Sequence, residues 1–127
     1  MKMFFDKETQ IKEIKEIFAE AEREENWDVT GEMLYSFYFV DQSVEKLEKL
    51  GEHLESEGYT FVNIYELGDE GTNEPTGEFL LHLDKVEQHS PESLADRNLE
   101  FEKVAKEFEI ETYDGWEFGE DDGFEDE

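Results

Sequence analysis

A run of aromatic and aliphatic residues from Met33 to Val40 constrains the fold more than any other part of this sequence. Its aromatic and β-branched content predicts a strand. One face of that strand carries Tyr35, Phe37 and Phe39, and the other carries Leu34, Ser36, Tyr38 and Val40. Because both faces are largely apolar, we expect a central strand that is covered on one side and at least partly covered on the other.

Three helices are predicted from apolar residues that recur at helical spacing. The first covers residues 6–25. The second follows Ser43, a good N-cap, and should stop near Glu57 because Gly58 suits the position after a helix end. The third opens at Ser90-Pro91-Glu92, with serine as N-cap and proline in the first turn.

Three further strands are predicted from alternation, over residues 59–67, 79–87 and 109–118. In the first of these, strict alternation places Phe61, Asn63 and Tyr65 on one face and Val62 and Ile64 on the other. The polar segment from Gly68 to Gly77 separates it from the next strand and predicts a long hairpin loop.

The element order is therefore α-β-α-β-β-α-β. Without the first helix this is the βαββαβ order of ferredoxin-like folds. We expect an α+β sandwich: a four-stranded antiparallel sheet with helices on one face, plus the N-terminal helix. The sequence predicts one domain over residues 1–118 and a disordered acidic tail over residues 119–127.

The charge of the chain restricts its partners. It has 38 Asp and Glu residues against 11 Lys and Arg, for a formal net charge of -27. Such a charge opposes contact with phosphates or anionic lipid and favours basic proteins. The N-terminus lacks the apolar core of a signal peptide, and no apolar run is long enough to span a bilayer. We expect a soluble cytoplasmic protein of bacterial type.

No pattern indicates catalysis, a metal or a cofactor. The chain has no cysteine, and its three histidines lack the spacing of zinc ligands. Nucleophile elbows, phosphate-binding glycine loops and dinucleotide fingerprints are absent from the sequence. The acidic tail does not match an EF-hand loop. We therefore predict a protein that is not an enzyme, does not bind nucleic acid directly and acts by binding a protein.

The segment Tyr113-Asp114-Gly115-Trp116 lies in the last predicted strand. An Asp-Gly pair within an alternating apolar run suggests a bulge, because glycine accepts positive φ. The aromatic residues either pack in the core or stand partly exposed and anchor a partner. We expect Gly115 and Trp116 to serve structure, and Tyr113 and Asp114 to face outward.

The C-terminal third carries a family resemblance. The segment that carries it is Leu99-Glu100-Phe101-Glu102-Lys103-Val104-Ala105-Lys106-Glu107-Phe108-Glu109-Ile110, followed by Tyr113-Asp114-Gly115-Trp116 and by an acidic tail. It resembles the ribonuclease E inhibitor family, also called regulator of ribonuclease activity B. The resemblance implies a ferredoxin-like fold and a non-catalytic regulator that binds the scaffold region of ribonuclease E and dampens RNA cleavage.

The candidate partner-binding residues are Tyr113, Asp114 and Trp116, with the acidic tail for electrostatic steering. A different function remains open beside this one. The same acidity suits a nucleic-acid mimic, or an immunity-type protein, that blocks another nuclease or a basic partner.

Overall fold

The computed structural model describes residues 7–69, 71–72 and 74–120. Its helices are α1 (Lys7–Glu20), which continues as a short π-helical segment (Ala21–Glu25), α2 (Val44–Ser56) and α3 (Pro91–Glu107). Its strands are β1 (Met33–Asp41), β2 (Thr60–Gly68), β3 (Pro75–Glu87) and β4 (Thr112–Glu120).

The four strands form one sheet in the order β2-β3-β1-β4, and every neighbouring pair is antiparallel. The predicted fold class is confirmed: βαββαβ with an additional N-terminal helix, in the strand order of a ferredoxin-like sheet. As expected, β1 is central. The strands β2 and β4 form the two edges of the sheet.

The core lies between the helices and one face of the sheet. The β1 residues Tyr35, Phe37 and Phe39 are all 0% exposed there. Burying a side chain of this size contributes roughly 1.5–3 kcal/mol. The buried helix residues of the same cluster include Ile14 and Phe18 of α1, Leu47, Leu50 and Leu54 of α2, and Leu94, Phe101 and Ala105 of α3.

The helix ends form as the sequence predicts. The Ser43 hydroxyl accepts a hydrogen bond from the Lys46 amide at 3.2 Å. Ser90 and Ser93 bond reciprocally, each side chain accepting from the other residue's backbone amide. Such caps typically contribute about 1 kcal/mol each. At the end of α2, Gly58 adopts a φ of 106°, which a side chain would strain.

One face assignment in β2 is wrong. The pairing of β2 with β3 shifts between Phe61 and Asn63, so Val62 is an extra residue in the ladder. Phe61 then lies opposite Leu83, and Ile64 lies opposite Leu81, although strict alternation placed them on different faces. A bulge changes the phase of the alternation, and both side chains pack against the core.

Several strand boundaries also differ from the sequence expectation, and β4 begins at Thr112 rather than at residue 109. The hairpin loop is shorter than Gly68–Gly77, because the Asp69 amide donates to the Glu74 carbonyl at 2.8 Å and β3 already begins at Pro75. At the other end, β4 reaches Glu120, two residues into the region predicted as tail. The rest of the predicted tail, residues 121–127, lies outside the described residues.

Candidate protein-binding site

A bulge in β4 shapes the candidate site. Tyr113 lies opposite Phe39 and Gly115 lies opposite Tyr38, so Asp114 is the extra residue in β4. Gly115 has a φ of 109°, a conformation that side chains rarely adopt. The kink predicted from the Asp-Gly pair is therefore present in the strand.

The bulge places Tyr113 and Trp116 on the same, helix-facing side of the sheet. Tyr113 is only 7% exposed, and its hydroxyl donates to Oδ1 of the buried Asn98 at 2.6 Å. Burial raises the pKa of Tyr113 well above its ordinary value. The expectation that Tyr113 faces outward is wrong: its ring packs in the core, where it can position the strand.

Trp116 is half-buried in a cluster of aromatic rings. Its centroid lies 6.5 Å from that of Phe18, 6.2 Å from that of Tyr35 and 5.5 Å from that of Phe118. These distances are typical of favourable ring pairs, worth about 0.5–1.5 kcal/mol beyond area burial. Trp116 thus joins α1 to the sheet while part of its surface stays accessible.

An open groove runs along β4, the edge strand next to α1. It is lined by Ile17, Asp114, Gly115, Trp116, Glu117 and Phe118. Ile17 is 41% exposed, and Asp114 is also exposed. Of the three residues proposed from the sequence, the fold brings Asp114 and Trp116 together in this groove. Tyr113 does not line the groove: its ring is buried in the core, on the same helix-facing side of the sheet as Trp116.

A second group of polar residues lies on the face of the sheet opposite the helices, which we call the open face. Nε2 of His82 and the hydroxyl of Ser36 both lie 2.6 Å from Oδ1 of Asp84. The Tyr38 hydroxyl donates to Oε1 of Glu117 at 3.3 Å. Sequence reasoning missed this group, because it requires the order of β4, β1 and β3 across the sheet.

A third group, an ion network, ties β3 to α3 on the helix side. Oε1 of Glu87 is 2.8 Å from both Arg97 and His89. Burial opposes the ionisation of Glu87, but the hydrogen bond from His89 and the charge of Arg97 outweigh it, and its pKa falls to about 2. The Arg97 guanidinium also lies 5.5 Å from the centre of the Tyr59 ring. The network fixes α3 on the sheet.

Within residues 7–69, 71–72 and 74–120, no cluster of three or more side chains could hold a metal ion. Over the same residues, no helix has the length and hydropathy needed to cross a membrane. The β4 groove is open and combines an aromatic ring with a carboxylate, an arrangement found where one protein contacts another.

A search of curated proteins found no match to this chain. The family model for regulator of ribonuclease activity B (RraB) matches residues 12–118. The matched range runs from the first helix into the last strand, and so includes both the β4 groove and the open face. The chain therefore belongs to the RraB family, whose members regulate ribonuclease activity.

Proposed function

We propose that this protein is a non-catalytic, cytoplasmic regulator that binds an RNA-processing endoribonuclease and inhibits it. By the resemblance of its C-terminal third, that endoribonuclease is ribonuclease E. The observation that carries the proposal is the family match over residues 12–118. Binding, rather than chemistry on RNA, is the mode of action that fits the open groove and the acidic surface.

Electrostatics supports a basic partner. A chain with a net charge of -27 attracts a positively charged segment over a long range and repels RNA. Endoribonucleases carry basic segments because they must hold an RNA backbone. An acidic regulator can therefore compete for such a segment, and its affinity should fall as salt is raised.

The proposed contacts lie on the β4 edge. Asp114 offers an exposed carboxylate at the bulge, and Trp116 offers the accessible part of its ring beside the exposed Ile17. Aromatic residues at the centre of an interface commonly contribute much of the binding energy. Tyr113 contributes indirectly in this proposal, because its buried hydroxyl bond to Asn98 holds the start of β4 in place.

Affinity capture tests the partner. The full chain is immobilised and exposed to lysate of its own organism at low and at high salt, and recovered proteins are identified by mass spectrometry. We expect ribonuclease E at low salt and much less at high salt. Recovery of a different nuclease in its place would instead favour the nucleic-acid mimic or immunity-type protein.

A charge reversal tests the contact residues. We expect Asp114→Lys to weaken binding to purified ribonuclease E about tenfold, the scale of one charged contact. The matched control is Glu52→Lys, which makes the same change at an exposed residue of α2, away from β4. Equal losses in both variants would leave no role for the groove. Trp116→Ala, checked for folding by circular dichroism, should also weaken binding.

A further inference from the structure

The positive charges are distributed unevenly over the fold. Among the described residues, the helical Lys and Arg are Lys7, Lys12, Lys15, Arg23, Lys46, Lys49, Arg97, Lys103 and Lys106. The remaining one, Lys85, lies on β3 with its Nζ 4.6 Å from the centre of the buried Tyr59 ring, on the helix side of the sheet. The open face therefore carries no Lys or Arg within the described part of the chain.

Apolar surface is exposed on the same face. Tyr65 is 45% exposed and Val86 is 39% exposed, which makes them two of the four exposed large hydrophobic residues described. Leu34 lies opposite Val86 on the neighbouring strand and is half-buried. Apolar side chains grouped on a face between polar ones are typical of a surface that contacts another protein.

The centre of the open face is built around Tyr38. Its ring lies 4.9 Å from that of His82, which Asp84 holds in place. On its other side, Tyr38 lies opposite Gly115 of β4. Space is open where Gly115 would carry a Cβ. The bulge in β4 therefore leaves room beside the Tyr38 ring.

Glu117 borders this space with an exposed carboxylate. In register it lies opposite Ser36, and the following outward position of β4 is Gly119, which also has open space around it. Within residues 7–69, 71–72 and 74–120, Glu117 accepts one side-chain hydrogen bond, the long 3.3 Å contact from the Tyr38 hydroxyl. A carboxylate can accept several hydrogen bonds, so Glu117 retains acceptor capacity for a ligand.

We propose that the open face binds a cationic polypeptide segment, with one arginine guanidinium stacked on Tyr38 and hydrogen-bonded to Glu117. A guanidinium is planar, stacks on aromatic rings and bonds carboxylates in a fork, so the ring and the carboxylate together suit it. Aliphatic side chains next to the arginine would cover Leu34 and Val86. Charge complementarity supports this occupant, because no lysine or arginine among the described residues lies on this face.

Two other occupants fit the face less well. RNA could stack on Tyr38, but its phosphates would meet the carboxylates of Asp84 and Glu117, and none of the described lysines and arginines lies on this face to offset them. A second copy would bring two acidic faces together, each on a chain with a net charge of -27. Both are outcomes of the experiment below.

The inference rests on the proposed function only for the identity of the natural partner. Glu117 lines the β4 groove and also stands on the open face, so the two surfaces are continuous. One segment of a bound ribonuclease could therefore cross the β4 edge and reach Tyr38. Binding of a cationic peptide can be measured without any ribonuclease.

The test uses a fluorescein-labelled synthetic peptide in which arginine and valine alternate, with anisotropy measured on the full chain at physiological ionic strength. We expect saturable binding, weaker binding when lysine replaces arginine, and none when the neutral isostere citrulline replaces it. Undiminished binding of the citrulline peptide, or tighter binding of an oligouridine RNA, would overturn the inference.

Variants locate the peptide on the face. Tyr38→Ala and Glu117→Gln should each weaken binding about tenfold, within the range of a stacked, charge-assisted contact. The matched control Glu52→Gln removes one charge from α2 and should change the affinity less than about twofold, since it acts only through the long-range field. If Tyr38→Ala does not fold, Glu117→Gln still decides the question.

Three results would contradict the assignment. One is equal weakening by Glu117→Gln and Glu52→Gln, which would mean a diffuse attraction. Another is a dimer in sedimentation that Glu117→Gln strengthens and the peptide disrupts, which would make a second copy the occupant. The last is peptide binding that neither Tyr38→Ala nor Glu117→Gln weakens. If the peptide does not bind but ribonuclease E is captured, only this inference fails. If the peptide binds but ribonuclease E is not captured, only the proposed function fails.

Discussion

The two faces of β1 show how one strand serves two purposes. Phe37 and Tyr38 are adjacent in the chain and similar in size. Phe37 is 0% exposed and lies 5.0 Å from the ring of Phe101 in an edge-to-face pair. Tyr38 is half-buried, contacts His82 and donates to Glu117. The inner face supplies stability, and the outer face carries the aromatic and carboxylate groups at which we propose that a partner binds.

The two faces also differ in whether their carboxylates are paired with cationic side chains. On the inner side the carboxylate of Glu87 is paired with Arg97 and His89, because an unpaired buried charge is costly. On the open face, Glu117 has no cation beside it within the described residues. A folded chain can keep such a carboxylate only where water, or a cationic partner, solvates it. This contrast indicates which face is available for recognition.

The largest effect should come from removing the buried ring. We expect Phe37→Ala to lower the free energy of unfolding by about 3–5 kcal/mol, because it leaves a cavity in the core. Tyr38→Ala should cost less, about 1 kcal/mol, since its side chain is only half-buried and leaves no cavity in the core. Urea denaturation of both variants measures the difference. Similar losses would show that the open face is part of the core.

The ion network should give the next largest effect, and a pH signature. Glu87→Gln removes the charge that Arg97 faces and should cost about 2 kcal/mol at neutral pH. Because the pKa of Glu87 is lowered from 4.5 to about 2, its contribution is present above about pH 5 and is lost as the pH falls towards 2.

The measurement is urea unfolding of the wild-type chain and Glu87→Gln at a series of pH values. The difference between their free energies of unfolding should fall by more than half between about pH 5 and about pH 3. The reason is that Glu87 binds a proton at higher pH in the unfolded chain than in the folded one. A difference that stays constant over this interval would mean that Glu87 acts by packing and not by charge.

The smallest of the three effects tests the β4 bulge, where the two faces meet. Gly115→Ala should cost about 1–2 kcal/mol, because its φ of 109° is strained for a side chain. Gly119→Ala is the matched control on the same strand: it also has open space around it, and its φ lies outside the left-handed range. Thermal unfolding compares them. Equal costs would show that open space, and not backbone conformation, governs both sites.

Much of the fold could be predicted from local chemistry. The N-caps at Ser43 and Ser90, the C-terminal glycine at Gly58 and the Asp-Gly bulge depend on backbone groups within a few residues, so the sequence displays them directly. The aromatic alternation of β1 likewise identified the central strand. From these signals the element order, and with it the fold class, follows.

The candidate site was only partly predictable. Asp114 and Trp116 do line one groove, but the sequence assigned Tyr113 to the wrong side. A bulge shifts the phase of alternation by one residue, and its position depends on the partner strand. The same effect places Ile64 of β2 on the face opposite to the predicted one. Neither the Glu87 network nor the group around Tyr38 could be found, because their members come from separate elements.

By itself, then, the sequence determined the elements, their order, the excess of negative charge and the family. These depend on composition and on interactions between near neighbours along the chain. Only the tertiary structure decided where the charges go: every described lysine and arginine on the helix side, and a face around Tyr38 and Glu117 without them. The physical reason is that strand order and bulge register, which no single segment encodes, choose the neighbours across the sheet.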